Sequence, residues 1–232
     1  MDSTVDRVGR GSRYPSRRLL LASGSALVVL SCALGVWILV RGNDPFVIDA
    51  WWNSLLAGLP SVALGRGSQA MNVIGGGWFG ALFVPIAGAI VLVIARKRWA
   101  AAYFLAAEAV SAGGVQVLKH LFGRARPEDI IVVSDYGSFP SGHVANAATV
   151  ATVAIILFPL LWVRIVAVAW VLLMAFSRTY LHAHWLTDTL GGALIGAGAA
   201  LLLAAVFAPM LQREAEGVGG PPSAETSRMP RL

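Results

Sequence analysis

Six stretches of this chain are too long and too apolar to sit in the core of a 232-residue soluble protein; they cover residues 19–40, 71–95, 99–119, 144–161, 162–181 and 186–211. A helix that crosses a bilayer needs about 20 consecutive apolar residues, and each run comes close to that length. The fifth is the least regular, with Arg164 near its start and Arg178 near its end. None shows strand-like alternation, and an unpaired backbone group in lipid costs several kcal/mol, so helices are expected throughout. The expected fold is all-α: a polytopic membrane protein in which a six-transmembrane-helix bundle fills residues 19–211. It is preceded by a cytoplasmic tail at 1–18 and followed by a disordered cytoplasmic tail at 212–232, rich in Gly, Pro, Ser and charge. Only 13% of the residues are charged, far below the roughly 25% of soluble domains.

The net charge of +6 does not point to nucleic acid, because the cations stand at the ends of apolar runs and no basic stripe is interleaved with aromatics. Membrane topology accounts for it better. With the N-terminus inside, twelve Lys and Arg fall on the cytoplasmic side and six on the outer side, the bias that sets orientation. The first run follows five arginines and is longer than a signal-peptide core, so it reads as an uncleaved anchor in the cell (inner) membrane. Cys32, the single cysteine, lies in that run and cannot form an intrachain disulfide. Between the first two runs, residues 46–59 crowd aromatics and leucines together, which suggests a helix lying at the outer interface, anchored by Trp51 and Trp52. Gly192 and Gly196, four apart, suit close helix packing in lipid.

On that topology three polar clusters from distant parts of the chain reach the outer face. KHLFGRARP (119–127) closes the third run, FPSGH (139–143) opens the fourth, and SRTYLHAHWLTD (177–188) joins the fifth to the sixth. Arg124 alone reads as a snorkelling anchor. Lys119, Arg126 and Arg178 gathered with His143 and His184 would instead hold a multiply charged anion, and guanidinium forks match phosphate oxygens. Ser141 falls at a helix N-cap, with Gly142 and His143 in the first turn, where free amides and the helix dipole favour the same anion. His184 and Asp188, four apart, would share a helical face, letting the carboxylate accept from one ring nitrogen and leave the other as a nucleophile. His182 is off that face and reads as a wall or rim residue.

These residues carry a specific resemblance. Lys119 with six residues to Arg126-Pro127, then Pro140-Ser141-Gly142-His143, then Ser177-Arg178 with five residues to His184 and three more to Asp188, resemble the complete three-part motif of the type 2 phosphatidic acid phosphatase family. The resemblance implies a membrane lipid phosphate phosphatase working through a phosphohistidine. His184 would attack phosphorus, Asp188 would orient it, and His143 would protonate the leaving oxygen. Lys119, Arg126, Ser141, Gly142 and Arg178 would hold the phosphoryl oxygens. No carboxylate cluster with metal spacing accompanies the motifs, so neither a metal nor another cofactor is expected.

The expected partners are a lipid phosphate substrate and membrane lipids, with no nucleic acid. Undecaprenyl pyrophosphate, phosphatidate and phosphatidylglycerol phosphate all fit an extracytoplasmic site, and the first is favoured by analogy with carrier recycling. Transfer of the phosphoryl group to another acceptor, or a non-catalytic lipid or anion carrier, are the alternatives. Soluble haloperoxidase relatives share the motifs, but the apolar runs speak against that chemistry. Glu108 stands outside the motif, eleven residues before Lys119 and on nearly the same helical face. It is either a neutral, hydrogen-bonded packing residue or a group for headgroup recognition or proton movement.

Overall fold

The computed structural model describes residues 15–219. The N-terminal arginines at 7, 10 and 13 and the tail arginines at 228 and 231 lie outside these residues. Within them the chain is helical, with no strand: α1 (Arg17–Val40), α2 (Val47–Ala57), α3 (Val62–Gly75), a π-helical turn (Phe79–Phe83), α4 (Val84–Ile94), α5 (Arg98–Phe122), α6 (Gly142–Leu157), α7 (Leu161–Tyr180) and α8 (Leu186–Gly219). The apolar runs thus become helices, and their ends follow local chemistry. Ser16 caps α1 by accepting from the Leu19 amide at 3.3 Å, and α5 ends at Gly123 in the left-handed conformation that glycine adopts without cost.

Four helices, α1, α5, α7 and α8, are long and apolar enough to cross a membrane. The second expected span is broken: α3 and the segment that contains the π turn and α4 meet at a 46° bend, and together they make a fifth. The break falls at Gly75-Gly76-Gly77, where Gly77 takes a φ of +55°. The remaining helix, α6, is apolar but has 16 residues, about 24 Å of helix against a hydrocarbon thickness of about 30 Å.

Helix α8 is the centre of the bundle and packs on α1, α5 and α6. Small residues make that possible. A methyl group on Gly192 or Gly196 would collide with the backbone carbonyls of Ser141 or Ala145 on α6, and one on Gly24 or Gly198 would press into the α1–α8 contact. Backbones can approach this closely only where no side chain intervenes, as the spacing of Gly192 and Gly196 suggested. Tyr103 on α5 is fully buried and donates its hydroxyl to the Ala200 carbonyl on α8 at 3.0 Å.

The C-terminal end of α8 departs from expectation. Rather than giving way to a disordered tail at 212, the helix continues through Gly219. The physical reason is Glu214, whose carboxylate accepts from the free amides of Trp99 and Ala100 at the start of α5, at 2.7 and 3.1 Å. A carboxylate there complements the helix dipole and satisfies donors that have no partner inside α5.

Residues 46–59 do form a helix, α2, but it is tied inward as well as carrying aromatics. Trp51 is exposed, whereas Asp49 is buried. Its carboxylate accepts from the Phe46 amide, the Thr187 amide and hydroxyl, and the Arg124 guanidinium. Asp49 therefore pins α2 to the end of the bundle where the three polar clusters meet.

Candidate active site

The C-terminal ends of α5 and α7, the N-terminal ends of α6 and α8, and the 123–141 loop converge at one end of the bundle. The sequence clusters meet there. Lys119, Asp135, Gly142, His143, Arg178 and His184 all line one cavity of about 750 Å³. From this polar end the cavity runs between the π turn, α4 and α5, past Leu82, Pro85, Ile86, Leu105 and Ala109. Leu82, Ile86 and Leu105 are exposed, so the apolar end is open. A polar head and an open apolar groove suit an amphiphile.

His184 sits in the turn between α7 and α8. Its Nδ1 donates to the Ser138 carbonyl at 2.7 Å, which leaves Nε2 with its lone pair directed at Arg126 Nη1, 3.1 Å away. The ring's tautomer is thereby set, with the proton on Nδ1 and Nε2 unprotonated. Burial, then the charges of Arg126, Arg178 and Lys119, hold the imidazole well below its usual pKa, so it is neutral.

The carboxylate of Asp188 lies farther off than the sequence suggested. Its Oδ2 is 3.7 Å from His184 Nδ1 and accepts instead from the Trp185 amide at 2.9 Å. Helix α8 begins only at Leu186, so residues 184 and 188 do not share a helical turn, and the backbone carbonyl of Ser138 makes the hydrogen bond expected of the aspartate.

Arg124 is not a snorkelling anchor. It is 1% exposed, with Nη1 donating to Asp188 Oδ1 at 2.6 Å and to Thr187 Oγ1 at 2.8 Å, and Nη2 to Asp49 Oδ2 at 2.8 Å. A fully buried guanidinium is tolerable only when so paired. This triad ties the third cluster to α2 and fixes the turn that presents His184.

The cations are already engaged. Lys119 Nζ donates to Gly137 O at 2.7 Å and lies 3.3 Å from Asp135 Oδ1. Arg126 donates to Ala183 O, Gly137 O and Asp135 Oδ1, the last at 2.8 Å. Burial pulls the Asp135 carboxyl up, but Lys119 and Arg126 outweigh it and hold the group below the usual carboxylate range. One carboxylate oxygen thus bridges two cations as a phosphoryl oxygen would. Several donors still lack partners: Arg126 Nε, Arg178 Nε and Ser141 Oγ are buried and unpaired, a condition that an anion would relieve.

Asn72 on α3 was not anticipated. Its carbonyl accepts from His143 Nε2 at 3.0 Å, and its side-chain oxygen accepts from Arg178 Nη1. The approach depends on the glycines that follow, since a methyl group on Gly76 would occupy the position of the His143 ring. The run NVIGGG was the available signal, an amide and three glycines inside an otherwise apolar stretch. His182 takes a left-handed φ of +50° and turns away to Asn53 on α2, 2.7 Å, and Asp129, 3.0 Å. It is not among the residues that line the cavity.

The chain was compared with known proteins. The sequence profile of the PAP2 superfamily matches residues 99–210, the part that supplies nearly all of this geometry. Lipid A 1-phosphatase of Rhizobium johnstonii is 32% identical over 124 residues, covering 47% of this chain and 49% of that protein. Undecaprenyl-diphosphatase of Sulfolobus acidocaldarius is 25% identical over 123 residues, covering 50% and 58%. The chain spans about half the length of the curated relatives it matches. In overall fold it is similar to the crystal structure of a transmembrane PAP2-type phosphatidylglycerolphosphate phosphatase from Bacillus subtilis, with a TM-score of 0.70, 24% identity, and coverage of 81% of this chain and 97% of that one.

Proposed function

From the premise that residues 99–210 belong to the PAP2 superfamily, we propose that this integral membrane protein is a lipid phosphate phosphatase working through a phosphohistidine at His184. The observation that carries this reading is the neutral imidazole whose unprotonated Nε2 accepts from a guanidinium, 3.1 Å away, in a cavity it shares with Lys119, Arg178 and His143. A phosphoryl group in that space would have a nucleophile on one side and cations around its oxygens, and phosphoryl transfer needs positioning and charge neutralisation above all.

In the proposed reaction the phosphoryl group displaces the Asp135 carboxylate from Lys119 and Arg126. His184 Nε2 bonds to phosphorus as the bond to the lipid oxygen breaks. His143, protonated when the anionic phosphate binds and held through Nε2 3.0 Å from the Asn72 carbonyl, gives its extra proton to the departing lipid oxygen and becomes neutral. Arg178 Nε, Ser141 Oγ and the Gly142 amide at the start of α6 bind the remaining oxygens. Water then attacks the phosphohistidine, with His143 taking its proton, and inorganic phosphate leaves. Asp188 acts through Arg124 and the Trp185 amide, holding the turn that carries His184.

The substrate class is a lipid phosphate or pyrophosphate whose tail occupies the apolar cavity between α4 and α5. Counting the bent α3–α4 segment as one span and α6 as another gives six crossings, with both termini cytoplasmic and the site outside. Detergent-solubilised protein given a panel of lipid phosphates should release inorganic phosphate, and brief incubation with a phosphorus-labelled substrate should leave acid-labile, base-stable label on the wild type alone. Undiminished release by His184→Ala would overturn the proposal, and label passed quantitatively to a second lipid would make the protein a transferase instead.

A further inference from the structure

The proposed mechanism leaves one group in the cavity without a task. Glu108 lies on α5 eleven residues before Lys119, about 16 Å along the helix axis and on nearly the same face. It lines the cavity and is 8% exposed. Its Oε1 is buried and has no hydrogen-bond partner. Leu105, Ala109, Ala112 and Ile86 line the same cavity. Two polar groups that line the same cavity are engaged with the protein: buried Ser111 accepts through Oγ from Thr149 at 2.9 Å, and half-buried Asn146 donates through Nδ2 to the Gly80 carbonyl at 3.0 Å. Glu108 is thus not the hydrogen-bonded packing residue that the sequence allowed.

A carboxyl left unpaired among apolar side chains is costly, and ionisable groups at such depth are functional by default. Structural packing would have been served better by leucine or glutamine with a local partner. What the carboxyl lacks is a hydrogen-bond partner, and the cavity that it lines is a volume from which one can arrive.

We propose that Glu108 is a specificity residue that binds a hydroxyl or amide N–H in the lipid portion of the substrate, roughly 16 Å below the phosphate. This deepens the lipid phosphate reading of the same cavity and rests on it. The geometry selects lipids that carry a polar donor below the headgroup, such as hydroxyacyl or amide-linked lipids. It selects against an all-hydrocarbon isoprenoid chain, which would leave the carboxyl unpaired. A site built to hydrogen-bond a polar group discriminates strongly against the analogue that lacks it.

The test uses binding, so that it reads out independently of turnover. Non-hydrolysable single-chain lipid phosphonates of equal length, one plain and the others hydroxylated at successive chain positions, are titrated into the full-length protein in detergent. Wild type should bind one hydroxylated positional isomer about tenfold more tightly than the plain chain. Glu108→Leu should reduce that ratio to near one while binding the plain chain at least as well, and Glu108→Gln, which keeps an acceptor, should retain much of the preference. Equal affinities across the series for wild type, or an unchanged ratio in Glu108→Leu, would overturn the proposal. Loss of all phosphonate binding in both variants would also overturn it, assigning Glu108 to the fold. Failure of the phosphatase reading appears separately, as the absence of His184-dependent phosphate release.

Discussion

Arg124 Nη1 stands 2.6 Å from Asp188 Oδ1, with both side chains fully buried, and the other end of the same guanidinium meets Asp49 at 2.8 Å. Arg124 is therefore not a helix-end anchor but the structural centre of the end where the polar clusters meet, joining α2 to the first turn of α8. Removing one partner of such a network strands the other charges. Arg124→Leu, or Asp49→Asn with a smaller effect, should lower stability by about 3–5 kcal/mol, read as a large drop in melting temperature in detergent. A variant with unaltered melting would show the network to be dispensable.

The two histidines of the third cluster part company by a few ångströms of backbone. His184 presents Nε2 to Arg126, while His182 hydrogen-bonds Asn53 and faces Asp129. His184→Ala should abolish phosphate release, and His182→Ala should keep most of it. Equal losses would mean that the choice of nucleophile is mistaken.

Asp135 occupies the cations that the proposed reaction needs, at 3.3 Å from Lys119 and 2.8 Å from Arg126. If it competes with phosphate, Asp135→Asn should lower KM, and tighten inhibition by inorganic phosphate, by about fivefold, the upper worth of a part-exposed ion pair, with kcat little changed. A higher KM would show instead that the carboxylate positions the two cations for the substrate.

Acidity tests the state of the His184 imidazole. Burial and the cations Arg126, Arg178 and Lys119 depress the pKa of His184, so acidification through about pH 6.5, the ordinary imidazole value, should leave it neutral in the substrate-free protein. An NMR titration of labelled histidine, with the resonance assigned by its loss in His184→Ala, should show no protonation step at that pH. The sign for stability follows. The unfolded chain takes up the proton near pH 6.5 and the folded one does not, so this residue's contribution to stability is present above that pH. It fades as the pH falls toward the depressed folded value. A His184 resonance titrating at or above 6.5 would contradict the assigned environment.

Charge neutralisation by Lys119, Arg126 and Arg178 is proposed to stand where many phosphatases use divalent ions. Activity should therefore survive exhaustive chelation and be indifferent to added magnesium; restoration of a chelated, inactive sample by a single divalent metal would refute this.

The helices and the meeting of the polar clusters were legible because both follow from local pattern. Apolar runs of spanning length allow few folds in lipid, and the paired glycines of α8 need close neighbours wherever they fall. Lys119, His143, Arg178 and His184 line one cavity, as their spacing at helix ends suggested. The length of α8 was misjudged because Glu214 finds its partners, the amides that open α5, more than a hundred residues away. The six-span count blurred for a related reason. Hydropathy registers composition, whereas the 46° bend at the triple glycine and the 16-residue length of α6 are matters of backbone geometry.

By itself the sequence determined that the chain is a helical membrane protein whose clusters of cations and histidines stand at helix ends, since periodicity, length and side-chain chemistry are properties of residues taken in order. Tertiary structure alone decided that Arg124 is buried between Asp49 and Asp188, that Ser138 rather than Asp188 hydrogen-bonds His184 Nδ1, that Asn72 reaches His143 and Arg178, and that Glu108 faces the cavity unpaired. Each of these depends on which surfaces meet across the bundle. A hydrogen bond is won or lost within an ångström, a scale set by how the helices pack and not by how the residues are spaced along the chain.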